Sequence, residues 1–250
     1  TLSLDLKNAI RRGQVEYFYQ PQINADGKLH GIEALLRWKH PVTGYIAPPV
    51  VCMLAYEGGF LNELSSYLLH LACRDARALE PFLKNDLFLS VNISAKQMEE
   101  NGFFSEACDV FKSYHLERVH LVTERSAMVI SDSLMAEMNS LQSKGVNFSL
   151  DDFGMGHNSI LYLQEGIFNE VKLDGKLVSQ LPGNERSGEI ISGIIRMTES
   201  LNLRVLAEYV ETKEQRDMLA KLGCSLYQGY YYSKPLPVGD LMRYVGGKTD

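Results

Sequence analysis

Short, uninterrupted apolar runs recur along this chain, and a longer stretch with helical spacing separates most of them. Leu87–Ile93, Val119–Thr123, Asn147–Leu150, Glu170–Leu173 and Arg204–Ala207 read as strands. Continuous rather than alternating apolarity marks several of them as covered on both faces, as parallel strands are. Phe60–Leu83, Phe103–His115, Ser133–Lys144, Arg186–Leu201 and Lys213–Leu222 read as helices. Near the start, Glu16–Ile23 and Leu29–Leu36 flank "NADGK" at Asn24–Lys28, which predicts a tight turn and an antiparallel pair. Ser225–Tyr232 supplies a last strand. Eight strands with intervening helices in 250 residues predict an α/β fold, a modified (β/α)8 TIM-type barrel with an antiparallel first strand. No Pro- or Ser-rich linker and no internal repeat divides the chain, so residues 1–250 are expected to form one domain. The chain begins at Thr1 without Met, and is expected to be a piece of a longer protein with a sensory or regulatory domain upstream.

Charge and cysteine usage narrow the function. A net charge of -6 argues against a general polyanion surface, so no DNA or RNA duplex is expected as a partner. A phosphate-bearing ligand would need metal ions or a local basic residue. Cys52, Cys73, Cys108 and Cys224 are scattered without a CxxC pair and read as reduced thiols of a cytoplasmic protein. No apolar run of about 18 residues occurs, so no membrane contact is expected from this segment.

Chemistry in such barrels is carried at the carboxyl ends of the strands. The residues expected there are Glu33 and Arg37 on strand two, Asn92 on strand three, Glu124 on strand four, and Asp151 and Asp152 on strand five. Lys172 and Asp174 follow on strand six, Glu208 and Glu211 on strand seven, and Gln228 on strand eight. A lone strand Glu is ordinarily salt-bridged, and "DDFG" alone could be a helix-capping turn. So many carboxylates at one end of a barrel, however, need cations to offset their repulsion. Carboxylate and amide oxygens are the hard ligands that Mg²⁺, Mn²⁺ or Ca²⁺ prefer.

Six ordered segments, "EALLRW" (Glu33–Trp38), "VNIS" (Val91–Ser94), "DDFGMG" (Asp151–Gly156), "VKLD" (Val171–Asp174), "AEYVET" (Ala207–Thr212) and "QGYYYSKPLP" (Gln228–Pro237), resemble the EAL domain family. "YFYQPQI" at Tyr17–Ile23 is similar to that family's first strand, and the resemblance covers essentially the whole chain. It implies a barrel with its first strand reversed, and hydrolysis of the bacterial second messenger cyclic di-GMP to linear pGpG with two Mg²⁺ or Mn²⁺ ions. It implies further that Asp151 bridges the two metals, Asp152 holds the second, and Glu33 and Asn92 bind the first. Glu208 matches a second-metal ligand and general base. Lys172 matches a residue that neutralises the attacked phosphate or orients water. Glu211 and Gln228 match supporting positions, and Gln20 and Arg37 match residues that touch the dinucleotide.

The chain departs from that pattern in places that matter. Where the family's fourth strand reads like "LEITES", with the first Glu a metal ligand, this chain reads "LVTERS". The missing ligand falls on Val122 when the segments are aligned on Ser126–Ala127, and on Leu121 when they are aligned on the Thr-Glu pair. The loop after strand five carries Met155, His157 and Asn158 in place of Thr, Tyr and Ser, and Tyr209 stands where "AEGVET" has Gly. The expectation is a degenerate member that keeps the ligand pocket while turnover is weak or lost. The alternatives are a fully active phosphodiesterase in which Glu124 replaces the ligand, and a non-catalytic protein-interaction module. The resemblance implies pairing through the loop and helix after strand five, and the altered loop predicts a weak or monomer-favouring homodimer equilibrium.

Overall fold

The computed structural model describes residues 1–82, 88–100, 102–116, 119–123, 131–154 and 159–247. The chain enters through helix α1 (Leu2–Arg11) and a long hairpin, β1 (Val15–Asn24) and β2 (Leu29–His40). The turn between them is built by Asn24, whose Oδ1 accepts from the N–H groups of Asp26 and Lys28, and by Gly27 at φ 76°. A short strand β3 (Gly44–Ile46) folds back antiparallel on the end of β2, and helix α2 (Pro48–Glu57) opens on two prolines, whose fixed φ suits a first helical turn. The rest alternates: α3 (Leu61–Leu79), β4 (Phe88–Ile93), α4 (Ala95–Glu99), α5 (Phe103–Ser113), β5 (Val119–Thr123), α6 (Asp132–Gln142), β6 (Val146–Phe153) and α7 (Ser159–Leu163). Then come β7 (Glu170–Leu173), α8 (Gly175–Val178), α9 (Glu185–Ser200), β8 (Arg204–Ala207), α10 (Lys213–Lys221), β9 (Leu226–Tyr227), β10 (Leu236–Pro237) and α11 (Val238–Gly246).

The strands β2, β4, β5, β6, β7, β8 and β9 pair in that order, all parallel. Strand β1 pairs antiparallel with both β2 and β9, which closes the ring with one reversed strand. The architecture is the modified α/β barrel read from the sequence.

Alternation along the strands sorts two layers. Leu89, Val91, Phe148, Leu150, Val171, Leu173 and Val205 are buried in the apolar core that includes the outer helices. Between them Ser90, Ser149, Glu170, Lys172 and Leu206 fill the barrel interior, which is polar for much of its length. At its amino-terminal end Ser149 donates to Glu170 at 3.0 Å, and Arg204 lies 3.8 Å from the same carboxylate.

Some elements differ from the sequence expectation. Strand eight was expected to run to Tyr232 but stops at Tyr227, because Gly229 lies against the backbone of Val210. The first long helix ends at Leu79, and Pro81 lies in a 3₁₀ turn that follows it. Helices α1, α2, α4, α8 and α11 and the short strands β3 and β10 are additions to the sequence reading.

Tyr19 ties β1 to α3, its hydroxyl donating to buried Asp75 at 2.8 Å. Tyr19→Phe leaves that carboxylate short of a donor. It should lower the unfolding free energy by about 1–3 kcal/mol, measured by urea denaturation. An unchanged midpoint would show that Arg74, which also bonds Asp75, satisfies it alone.

Candidate active site at the carboxyl end of the barrel

Lys172 is the hub. Its side chain projects from β7 into the barrel and is 1% exposed. Nζ donates to Glu33 Oε1 at 2.8 Å, lies 2.6 Å from Glu208 Oε1, and stands 3.7 Å from Asp151 Oδ1. Glu33, on β2, also accepts from Asn92 Nδ2 at 2.9 Å and from Gln228 Nε2. Gln228 donates in addition to Gln20 Oε1, and its own Oε1 accepts from Gln22 Nε2, both at 3.0 Å. Gln20 passes the network on to the carbonyl of Ser233 at 3.1 Å.

Two adjacent aspartates would point to opposite faces of a regular strand. Here the β6–β7 register breaks between Leu150 and Phe153, and Asp152 takes φ 51°. The Asp152 N–H donates back to Asp151 Oδ1 at 2.9 Å. This irregularity turns both carboxylates toward the barrel mouth. Oxygens of Asp151, Asp152 and Glu208 all lie within 4.8 Å of one another.

Electrostatics follow from the excess of carboxylate. Burial works to raise the Glu33 carboxyl, but Lys172 and the bonds from Gln228 and Asn92 outweigh it and hold it below its usual value. Burial raises Asp151, with repulsion from Glu33 and Asp152 adding to it against Lys172. Burial also pushes Glu208 up to about 8, with Asp151 and Glu33 reinforcing the shift. Burial opposes the charge on Lys172, yet Asp151, Glu208 and Glu33 drive its ammonium well above the ordinary lysine value. One lysine does not balance this group. The close oxygens of Asp151, Asp152 and Glu208 are hard donors that fit a divalent cation.

A cavity of about 1010 Å³ opens above the cluster. Arg37 is on its wall, its guanidinium 5.6 Å from the Phe18 ring and bonded to the Leu36 carbonyl. Glu211 is exposed on the same wall and donates its backbone N–H to Gln215 Oε1 at 2.8 Å. The structure thus gathers Gln20, Glu33, Asn92, Asp151, Lys172, Glu208 and Gln228 into one bonded and ion-paired group, with Asp152 beside Asp151 and Glu208. Arg37 and Glu211 stand apart on the wall. Asp174 caps α8, accepting from the Lys176 N–H. Gln22 went unassigned from sequence, although its spacing of two from Gln20 on one strand places both on the same face. Glu124, Met155, His157 and Asn158 lie outside the described residues. Leu121 is fully buried and registers with Val91 and Phe148 in the apolar core.

Fold and site together define a class: a parallel barrel with one reversed strand, carrying an acidic cluster around a buried lysine at the carboxyl ends of its strands. The EAL domain family matches residues 3–235, and the chain belongs to it. It is 35% identical over 245 residues to the bifunctional diguanylate cyclase/cyclic di-GMP phosphodiesterase MucR of Pseudomonas aeruginosa, covering 96% of this chain and 36% of that protein. It is also 35% identical over 245 residues to the cyclic di-GMP phosphodiesterase NbdA of the same organism, covering 96% of this chain and 31% of NbdA. The chain therefore spans about a third of the length of these relatives. The solved structure of the PaMucR phosphodiesterase in complex with c-di-GMP superposes with a TM-score of 0.86 at 34% identity, covering 96% of this chain and 100% of that one. Among the described residues no helix is long and apolar enough to cross a membrane.

Proposed function

We propose that this domain binds cyclic di-GMP in the cavity at the carboxyl end of the barrel and hydrolyses it slowly to linear pGpG. The observation that carries this reading is the convergence of Asp151, Asp152 and Glu208 within 4.8 Å beside buried Lys172, at the floor of a cavity of about 1010 Å³. The likeness to MucR, and to its domain solved with c-di-GMP, supports the ligand.

Asp151, Asp152 and Glu208 would hold Mg²⁺ or Mn²⁺, with Glu33 and Asn92 completing a second position. When bound, such ions lower the proton affinity of water and neutralise phosphate charge. The protein's own groups do the rest. Lys172 places a fixed positive charge at the attacked phosphate without reorganisation, since three carboxylates already orient it. Glu208 would take the proton from water, the role that its place in the motif implies. Gln228 and Gln20 fix Glu33, and Arg37 engages the dinucleotide from the wall. Glu211 supports the site from the opening. Turnover is low because the fourth strand supplies no carboxylate at position 121 or 122.

Calorimetric titration with cyclic di-GMP in Mg²⁺, Mn²⁺, Ca²⁺ or chelator tests the reading, alongside assay of pGpG. Binding with slow hydrolysis in Mg²⁺, partly rescued by high Mn²⁺, is expected. Absence of binding under every condition would overturn it.

A linked expectation concerns protons. Without a cation Glu208 keeps its proton up to about pH 8, and a ligand carboxylate must give it up. Cation binding at pH 7 should therefore release protons, and release should fade above pH 8. Titrations in buffers of different ionisation enthalpy read this directly. Equal heats in all buffers at pH 7 would refute it.

A further inference from the structure

Tyr209 follows Glu208 and lines the cavity, yet 64% of it is exposed. Its backbone takes φ 55°, a left-handed conformation that residues with a Cβ adopt at a cost. The family motif has Gly at this place, which adopts it freely. An exposed ring recovers little by burial, so core packing does not account for the strain.

The ring nevertheless has a prepared seat. A Cβ added to Gly175 would lie 2.2 Å from Tyr209 Cδ2 and 2.4 Å from Cγ. The bare α-carbon at the start of α8 is what lets the ring lie there. Tyr230 lines the same cavity, 56% exposed, with Lys234 Nζ 5.3 Å from its ring centroid. Tyr56, at the end of α2, is likewise exposed and carries Lys96 Nζ at 5.2 Å. The cavity thus joins an acidic, cation-seeking floor to aromatic walls with cations stacked on them. Flat π-faces of this kind take up nucleobases.

We propose that Tyr209 is a specificity-determining residue whose ring, seated on Gly175, stacks against one purine base of the bound dinucleotide. The assignment rests on the cyclic di-GMP reading of the cavity.

The test is calorimetric titration of cyclic di-GMP into the whole chain and four variants: Tyr209→Gly, Tyr209→Phe, Gly175→Ala and the Tyr209→Gly/Gly175→Ala pair. Tyr209→Gly should weaken binding roughly five- to hundredfold, the range of one base–aromatic stack. Its melting temperature should not fall, because glycine relieves the backbone. Tyr209→Phe keeps the ring and should stay within about threefold of wild type. Gly175→Ala, which displaces the ring from its seat, should weaken binding in the wild-type background and do nothing further in Tyr209→Gly. Wild-type affinity in Tyr209→Gly overturns the assignment and leaves the dinucleotide reading intact. A loss in Tyr209→Phe as large as in Tyr209→Gly also overturns it, because the hydroxyl rather than the ring would then bind. Failure of the unaltered chain to bind cyclic di-GMP overturns the dinucleotide reading and this assignment with it.

Discussion

Lys172→Met should destabilise the chelator-treated domain by about 3–5 kcal/mol, the cost of removing one partner from a buried ion group. For a chain of this length that corresponds to a fall in melting temperature on the order of 10 °C. Methionine fills a similar volume, so packing is not what is lost. What remains is Glu33, Asp151 and Glu208 facing one another with the ammonium gone.

The pH dependence has a definite sign. In the unaltered chain Glu208 is raised from 4.5 to about 8. A carboxyl raised in the folded state favours folding below its unfolded value, and that contribution is lost as pH rises through the folded value. Glu33 is held low by Lys172 against its burial, so losing the lysine moves it to the raised class as well. The deficit of Lys172→Met should therefore be largest above pH 8 and shrink toward pH 5. Millimolar Mg²⁺ or Mn²⁺ should recover part of it, by supplying the missing positive charge. A melting temperature within 2 °C of wild type in chelator at pH 8 would show that protonation alone compensates for the lysine.

Much of this site was legible because a parallel barrel assigns chemistry to strand ends, and strand ends can be found from apolar runs. Glu33, Asn92, Lys172 and Glu208 were located that way. The "NADGK" turn gave the reversed strand through local backbone chemistry alone. What stayed hidden depends on register and on distant contacts. Two adjacent aspartates do not announce a strand irregularity, and here it shows as a break in pairing with β7 and as φ 51° at Asp152. Gln22 was hidden within "YFYQPQI", where it read as one polar residue in a generic strand, and its partner Gln228 is 206 residues away. Helix α2, "PPVVCMLAYE", carries two N-terminal prolines as a start signal but little amphipathic pattern. Periodicity therefore does not mark it, although Met53 and Tyr56 wall the cavity. Tyr209 looked like a bulky intruder, and only the bare α-carbon of Gly175 explains where its ring goes.

Val122→Glu should raise turnover on the order of tenfold or more in Mg²⁺, with a smaller change in affinity for cyclic di-GMP. The sequence left positions 121 and 122 open, and strand register separates them. Leu121 registers with Val91 and Phe148, both buried in the apolar core, and is itself fully buried there. Position 122 registers with Asn92 and Ser149. Asn92 reaches Glu33, and Ser149 reaches Glu170 inside the barrel. A carboxylate at 122 therefore joins the row that holds Asn92, one strand from Asp151. It would add the negative charge that a water ligand lacks, and so hold a cation more tightly. Leu121→Glu is the control. It drives a carboxylate into an apolar layer with no partner, and should lower the melting temperature sharply without raising turnover. Tighter cation binding in Val122→Glu with no gain in rate would mean that slow hydrolysis has its cause elsewhere in the site. Rapid cleavage by the unaltered chain in ordinary Mg²⁺ would mean that Glu124 already serves as the ligand, and the vacancy at position 122 would carry no functional cost.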